Sequence, residues 1–163
     1  MKQTIISLFV LSMFALASCK NTTCDKQPGE NMQSQTIFER GNKLSNANFT
    51  GNAWLNSLID SDSLNQNSVG SVTFEPGART YWHSHPAGQI ILALKGVGYY
   101  QEEGKPVVIL HKGDVVKCPH NIPHWHGASP DSEFVQVAIT GRENGPTVWH
   151  EAVTDEAYNN LQK

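Results

Sequence analysis

The residues of this sequence best suited to chemistry are histidines that occur in two pairs of identical spacing. His83 and His85 are separated by one residue, and so are His124 and His126. Because side chains at positions i and i+2 of a β-strand project from the same face, each pair would present two imidazoles together. Buried imidazoles are costly unless they are hydrogen-bonded or ligated. Chance or packing would explain one such pair, but two identical pairs favour a metal site.

The segment that carries these pairs is predicted to consist of short strands joined by tight turns. Gly, Pro and Asp residues separate apolar runs at Ser71–Phe74, Gln89–Leu94, Val107–Leu110, Val115–Val116 and Phe134–Ile139. Such recurrence, with no helical pattern between Ser68 and Thr140, predicts an all-β barrel or sandwich. Thr154 can cap a short C-terminal helix whose first turn holds Asp155 and Glu156.

The length, charge and cysteine content of the chain exclude several classes of protein. A chain of 163 residues has room for one domain, or one domain with a tail. Its net charge is −3, so the chain lacks the excess of basic residues that nucleic-acid binding requires, and no nucleic-acid partner is expected. Three cysteines, at Cys19, Cys24 and Cys118, cannot build a disulfide framework, and their spacing is not a zinc pattern.

The N-terminus is predicted to be an export signal over residues 1–19. Lys2 precedes a short apolar stretch, which is typical of a secretory signal and too short for a membrane-spanning helix. Leu16-Ala17-Ser18-Cys19 resembles a bacterial lipobox, in which the Cys19 thiol receives the lipid. Ordinary cleavage near Ala17 is the alternative. The lipobox predicts a protein anchored to the periplasmic side of the bacterial envelope, touching the membrane only through its lipid.

The remaining chain divides into a tether and one folded domain. Residues 20–36 are polar without periodicity, which predicts a flexible tether. Residues 37–163 are predicted to form the domain, with its core at 68–140.

The histidine pairs lie within two longer motifs that resemble those of the cupin superfamily. The motifs are Gly77-x5-His83-x-His85-x3-Gln89-x6-Gly96, with Gln where Glu is usual, and Gly113-x5-Pro119-x-Asn121-x2-His124, with Asn where Gly is usual. The finer similarity, from about Phe49 to Tyr158, is to small bacterial cupins with HxHPxGQ and HWHGA motifs. These include carboxymuconolactone decarboxylase-associated cupins and manganese-dependent cupin hydroxynitrile lyases.

This resemblance implies a fold, a ligand set and a cofactor. The fold would be a single cupin jelly-roll β-barrel with a short C-terminal helix, and small cupins of this kind are expected to form homodimers. The implied ligands of one divalent ion are His83, His85, Gln89 and His124. The resemblance favours manganese, with iron or zinc as alternatives, while an extracytoplasmic location would favour zinc or copper by affinity. Gln89 in place of a glutamate leaves the full charge on the ion, which strengthens it as a Lewis acid and weakens its binding.

Two further residues are expected near the ion. His126 shares the inward face of its strand with His124, and it is a candidate general base or a support for a ligand. A structural imidazole bonded to the backbone is an equal alternative. Gln136 is a predicted pocket residue, at a position where the hydroxynitrile lyases often carry a histidine. Because an amide cannot transfer a proton at neutral pH, Gln136 argues against their chemistry.

Three functions stay open on these observations. The first is a metal-dependent lyase, isomerase or decarboxylase that uses Lewis-acid/base chemistry on a small oxygenated organic substrate, with hydroxynitrile-lyase-like activity as one instance. The second is an iron-dependent dioxygenase. The third is a non-catalytic, lipid-anchored module that binds a metal or small ligand. Gln89 and His126 favour the first function, whereas Gln136 and the predicted anchor favour the third.

Overall fold

The computed structural model describes residues 37–159, which form twelve strands and one short helix. The predicted signal peptide with Cys19 and the predicted tether lie outside the described residues. The elements are β1 (Asn42–Lys43), β2 (Phe49–Thr50), β3 (Ala53–Ile59), β4 (Asn67–Phe74), β5 (Arg79–Thr80), β6 (His83–Ser84), β7 (Gln89–Glu102), β8 (Val108–His111), β9 (Val115–Cys118), β10 (His124–Ala128), β11 (Phe134–Gly141), β12 (Val148–Trp149) and α1 (Asp155–Asn159).

The strands form one curled sheet in which every described pairing is antiparallel. The main path runs β1-β3-β4-β11-β7-β10-β5-β2, while β8 and β9 also pair with β7, and β6 pairs with β10 and β12. Curling turns one face of the sheet inward, where the apolar side chains of alternate positions meet. The predicted all-β jelly-roll architecture with a short C-terminal helix is confirmed.

Strand β7 connects the two halves of the curled sheet. Its first part pairs with β9 and β11, and its second part pairs with β8 and β10. The change of partners falls at Gly96, which has a φ of +78° and approaches β11 so closely that a Cβ would lie 1.7 Å from the carbonyl oxygen of Glu133. The sequence predicted an apolar run only before this glycine, at Gln89–Leu94. Pairing on both sides of Gly96 extends that run into one bent strand that ends at Glu102.

Two apolar clusters stabilise the barrel. The larger fills the inside and includes Phe74, Ile91 and Phe134. The smaller contains Trp125 and Tyr158, and it packs the outer face of β10 against the C-terminal segment.

Helix α1 begins where the sequence predicted it. The hydroxyl of Thr154 accepts a hydrogen bond of 3.1 Å from the backbone N–H of Ala157, which is an N-cap. The hydroxyl of Tyr158 donates to the carbonyl of Ala128 at 2.7 Å and so fixes the helix to β10. Within residues 37–159 no helix has the length and apolar character to cross a membrane.

Candidate metal centre

Three of the predicted ligands, His83, His85 and His124, meet inside the barrel. Strands β6 and β10 place His83 directly opposite His124, and the two rings lie 4.5 Å apart between centroids. His85 lies one residue beyond β6, and its ring is 5.0 Å from that of His83 and 5.4 Å from that of His124. One possible ligand atom from each residue can be chosen so that all three lie within 4.8 Å of one another. The three histidines therefore form a buried group that could bind a metal ion.

The turn before β10 links the two motifs. The carbonyl of His85 accepts hydrogen bonds of 3.0 Å from the backbone N–H groups of Gly88 and Asn121. Asn121 has a φ of 59°, in the left-handed region that asparagine tolerates better than most non-glycine residues. This conformation explains how asparagine can occupy a position where the resembling motif has glycine.

The orientation of each ring is fixed through its Nδ1 atom. In His83 this atom lies 2.9 Å from the carbonyl oxygen of Tyr81, and in His124 it lies 2.9 Å from that of Ile122. Because a carbonyl only accepts, Nδ1 of both neutral rings carries the proton and Nε2 keeps its lone pair. Such a partner behind a metal-binding histidine fixes its tautomer and direction.

The donor set fits a divalent cation. Nε2 of His85 and Nε2 of His124 are buried without a hydrogen-bond partner among the described residues, an arrangement that is costly unless something else satisfies them. Burial lowers the pKa of His83 well below its usual value, lowers that of His85 to about 3 and also lowers that of His124. All three rings are therefore neutral at pH 7, with their lone pairs available to an ion.

Gln89, the fourth predicted ligand, lies at the start of β7 and lines the same cavity as His83 and His85. Its side-chain nitrogen donates to the hydroxyl of Thr140 at 2.9 Å, and its oxygen lies 3.9 Å from the sulfur of Cys118. Burial raises the pKa of the Cys118 thiol to about 12, so this sulfur remains protonated. The role of Gln89 as a ligand stays a prediction.

His126 and Gln136 form a separate buried pair beside the three histidines. Nδ1 of His126 is 3.1 Å from the side-chain nitrogen of Gln136, and the His126 ring meets the edge of Phe74 at 5.7 Å between centroids. Burial lowers the pKa of His126 well below its usual value, so the ring is neutral. The oxygen of Gln136 is buried and has no hydrogen-bond partner among the described residues. The amide can pair with either tautomer of His126, because its nitrogen donates and its oxygen accepts.

A cavity of about 470 Å³ gives access to this region. Its lining includes His83, His85, Gln89 and His126, together with mainly apolar walls from β3, β4 and β11. Trp149 lies beside the three histidines, with its ring 4.8 Å from that of His83. The cavity is large enough for a small organic molecule.

Sequence reasoning missed three lining residues that follow β11, namely Arg142, Thr147 and Trp149. Thr147 contacts one of the three histidines directly, since its hydroxyl oxygen is 3.2 Å from Nδ1 of His85. The segment carries Gly145 and Pro146, which predict a loop, and no spacing rule connects a loop to a distant histidine.

Comparison with known proteins gives the family. The model of the Cupin domain family matches residues 70–140. The (R)-mandelonitrile lyase of Granulicella tundricola is 44% identical over 111 residues, which are 68% of this chain and 85% of the relative. The chain belongs to the cupin superfamily.

Solved structures agree with this assignment. A cupin-like protein from Thermotoga maritima superposes with a TM-score of 0.76 and 50% identity, covering 79% of this chain and 98% of that protein. A predicted oxalate decarboxylase from the same organism has a TM-score of 0.57 at 18% identity, covering 71% of this chain and 97% of that protein. This second likeness extends to the fold alone.

Proposed function

We propose that this protein is a divalent-metal-dependent enzyme of the lyase, isomerase or decarboxylase type, acting on a small oxygenated organic substrate. The observation that carries the proposal is a pair of buried Nε2 atoms, of His85 and His124, that lie beside His83 and have no hydrogen-bond partner in the described part of the chain. The 44% identity to a mandelonitrile lyase supports cleavage of a carbon–carbon bond next to a hydroxyl group, with cyanohydrin cleavage as the first instance to test.

The ion would be held by His83, His85 and His124, with Gln89 as the fourth ligand. When bound, it would supply a Lewis acid that polarises a substrate oxygen. Manganese is the proposed metal, on the family resemblance, with iron or zinc as alternatives. Because all four side chains are neutral, they leave the full charge of the ion to act on the substrate.

The chain itself would supply proton transfer and a dry cavity. His126 lines the cavity, and Gln136 holds its Nδ1, so we assign exchange of a substrate proton to Nε2 of His126. Phe74 packs against the same ring and limits its rotation. Apolar lining residues such as Leu55 and Val72 would exclude water from the reacting atoms.

The setting of the enzyme is also part of the proposal. The lipobox pattern ending at Cys19 supports a mature protein that is exported and anchored to the envelope by lipid. A homodimer is proposed on the family resemblance.

Removal and return of metal is the test of this function. The purified full-length chain is stripped with a chelator, reloaded separately with Mn²⁺, Fe²⁺ or Zn²⁺, and assayed for release of benzaldehyde from mandelonitrile and for turnover of 2-hydroxy and 2-oxo acids. We expect activity that disappears on stripping and returns with one of these ions. Equal rates in the stripped and reloaded protein on every substrate would overturn the proposal.

A matched pair of variants locates that activity. His83→Ala removes a proposed ligand and is expected to lower kcat/KM by about 10²-fold or more. His120→Ala removes an exposed histidine outside the cavity lining and should retain the parent activity. Equal activity of the two variants would show that the reaction does not take place at the three histidines.

A further inference from the structure

We propose that Arg142 and Thr147 form a carboxylate-binding subsite beside the metal centre, which makes small 2-hydroxy or 2-oxo carboxylic acids the substrate class. This inference rests on the proposed function, because it places a second substrate group relative to an oxygen that would bind at the histidines. It departs from mandelonitrile, which has no carboxylate.

The partners that hold Arg142 in the cavity wall are all neutral within the described part of the chain. Its backbone N–H donates to the carbonyl of Gln66 at 2.8 Å, its Nε donates to the hydroxyl of Ser68 at 2.9 Å, and its Nη1 donates to the hydroxyl of Thr147 at 3.1 Å. Among residues 37–159 no carboxylate forms an ion pair with it, and no acceptor hydrogen-bonds its Nη2. A half-buried guanidinium stays protonated, so an anion would be a favourable partner.

Thr147 supplies a second hydrogen-bond donor when Nε2 of His85 carries no proton and can bind an ion. Its oxygen lies between Nη1 of Arg142, at 3.1 Å, and Nδ1 of His85, at 3.2 Å. If Nε2 of His85 is to bind a cation, Nδ1 must carry the ring proton and donate a hydrogen bond to the oxygen of Thr147. The oxygen then accepts two hydrogen bonds with its two lone pairs, and its own proton remains free to donate to a ligand.

The charges around the cavity favour an anion at this place. Arg142 and Asp60 are the only lining residues of the described chain with a full charge. Asp60 is exposed and accepts a hydrogen bond of 2.8 Å from the Ser57 hydroxyl, so solvent screens it. The proposed ligands add no negative charge to offset the ion. With an ion bound, the cavity would present two cationic groups to a substrate, the ion and Arg142. The carboxylate of Asp60 would oppose them only weakly, because solvent screens it.

Arg142 and His85 lie near each other in the cavity wall. They are connected through the single oxygen of Thr147, by contacts of 3.1 Å to Nη1 of Arg142 and 3.2 Å to Nδ1 of His85. Because both residues line the same cavity, a small molecule there would have an oxygen at the histidines and a carboxylate at Arg142. 2-Hydroxy and 2-oxo acids carry both groups.

The test compares two probes that share a skeleton and differ in charge, (R)-mandelate and (R)-mandelamide. Their dissociation constants are measured by calorimetry on the full-length chain, both stripped of metal and loaded. We expect mandelate to bind at least about tenfold more tightly than mandelamide, and Arg142→Gln to reduce this preference to about twofold or less. Lys112→Gln removes an exposed positive charge outside the cavity lining and should preserve the preference.

A second readout uses the unmodified protein, in case Arg142→Gln does not fold. Phenylglyoxal modification of Arg142 is followed by peptide mass spectrometry, and mandelate should slow it whereas mandelamide should not. Equal affinities for the two probes in the parent, an unchanged preference in Arg142→Gln, or equal modification rates would overturn the subsite. Because the preference is also measured without metal, its failure is distinguishable from failure of the metal-dependent activity.

Discussion

The direction of a single nitrogen atom decides what each histidine can do. Nδ1 of His83 and of His124 is bonded to the carbonyl two residues earlier in the chain, and Nδ1 of His85 lies at a threonine hydroxyl. The cupin resemblance implied that His83, His85 and His124 would meet, whereas the paired spacing predicted only that each pair would share one strand face. Neither could predict which nitrogen of each ring would face the other histidines, since that depends on local backbone geometry and, for His85, on a loop 62 residues away in sequence.

His126 provides a prediction at this scale. His126→Ala should lower kcat by about 10²- to 10⁴-fold, because the variant loses the group proposed to exchange a substrate proton. Its metal content should match that of the parent, because His126 lies outside the group formed by His83, His85 and His124. Elemental analysis and steady-state kinetics on the same preparation check both parts. Loss of metal from this variant would make His126 a ligand instead.

At the scale of elements, most of the longer strands left a signal in the sequence and most of the shortest did not. Apolar runs predicted β8, β9 and β11 closely, because burial on alternate positions leaves a pattern. The predicted runs covered only the second half of β4 and the first part of β7, and β3 was not predicted. Strands β1, β2, β5 and β12 have two residues each, too few for any pattern, and the equally short β6 was expected only from the spacing of His83 and His85. Their pairings, such as His83 with Trp149, join positions that no local signal connects.

The bend of β7 is predicted to depend on Gly96. Gly96→Ala would put a Cβ 1.7 Å from a backbone oxygen at a φ of +78°, so we expect a loss of about 3 kcal/mol or more in the free energy of unfolding. Gly104→Ala is the matched control: its φ is +73°, but beyond its chain neighbours the added Cβ has no described atom within 4 Å, so it should cost only about 1–2 kcal/mol. Urea unfolding of both variants measures the difference, and equal losses would show that close packing at Gly96 is unimportant.

At the scale of the whole molecule, the resemblance of the motifs predicted the barrel and the histidines that meet inside it. It could not predict the cavity. The cavity wall combines β3, β4 and β11 with the loop after β11, so its charge and shape depend on closure of the entire sheet. Arg142 illustrates the limit. Its partners Ser68 and Thr147 lie 74 and 5 residues away in sequence, and only the folded chain brings all three together.

Burial of neutral histidines predicts that the metal-free protein loses stability in acid. In the unfolded chain a histidine has its ordinary pKa of 6.5, whereas burial lowers the pKa of folded His85 to about 3. As the pH falls below 6.5, the unfolded state therefore binds a proton that the folded state does not, and the free energy of unfolding decreases. For His85 alone this loss reaches about 2 kcal/mol by pH 5.

Urea unfolding of the stripped chain at pH 7.5 and pH 5.0, beside His85→Gln, checks this prediction. The variant should show a smaller loss between the two pH values, by about 2 kcal/mol, because its side chain does not titrate. The same loss in the parent and the variant would mean that His85 is not held neutral by folding.

The metal content of the purified full-length chain tests the central claim most directly. Elemental analysis after reconstitution should find about one equivalent of a divalent metal in the parent. The same value is expected in His111→Ala, which changes an exposed histidine, while His124→Ala should retain almost none. Absence of metal from the parent, or equal metal in the parent and His124→Ala, would contradict the assignment of His83, His85 and His124 as a metal centre.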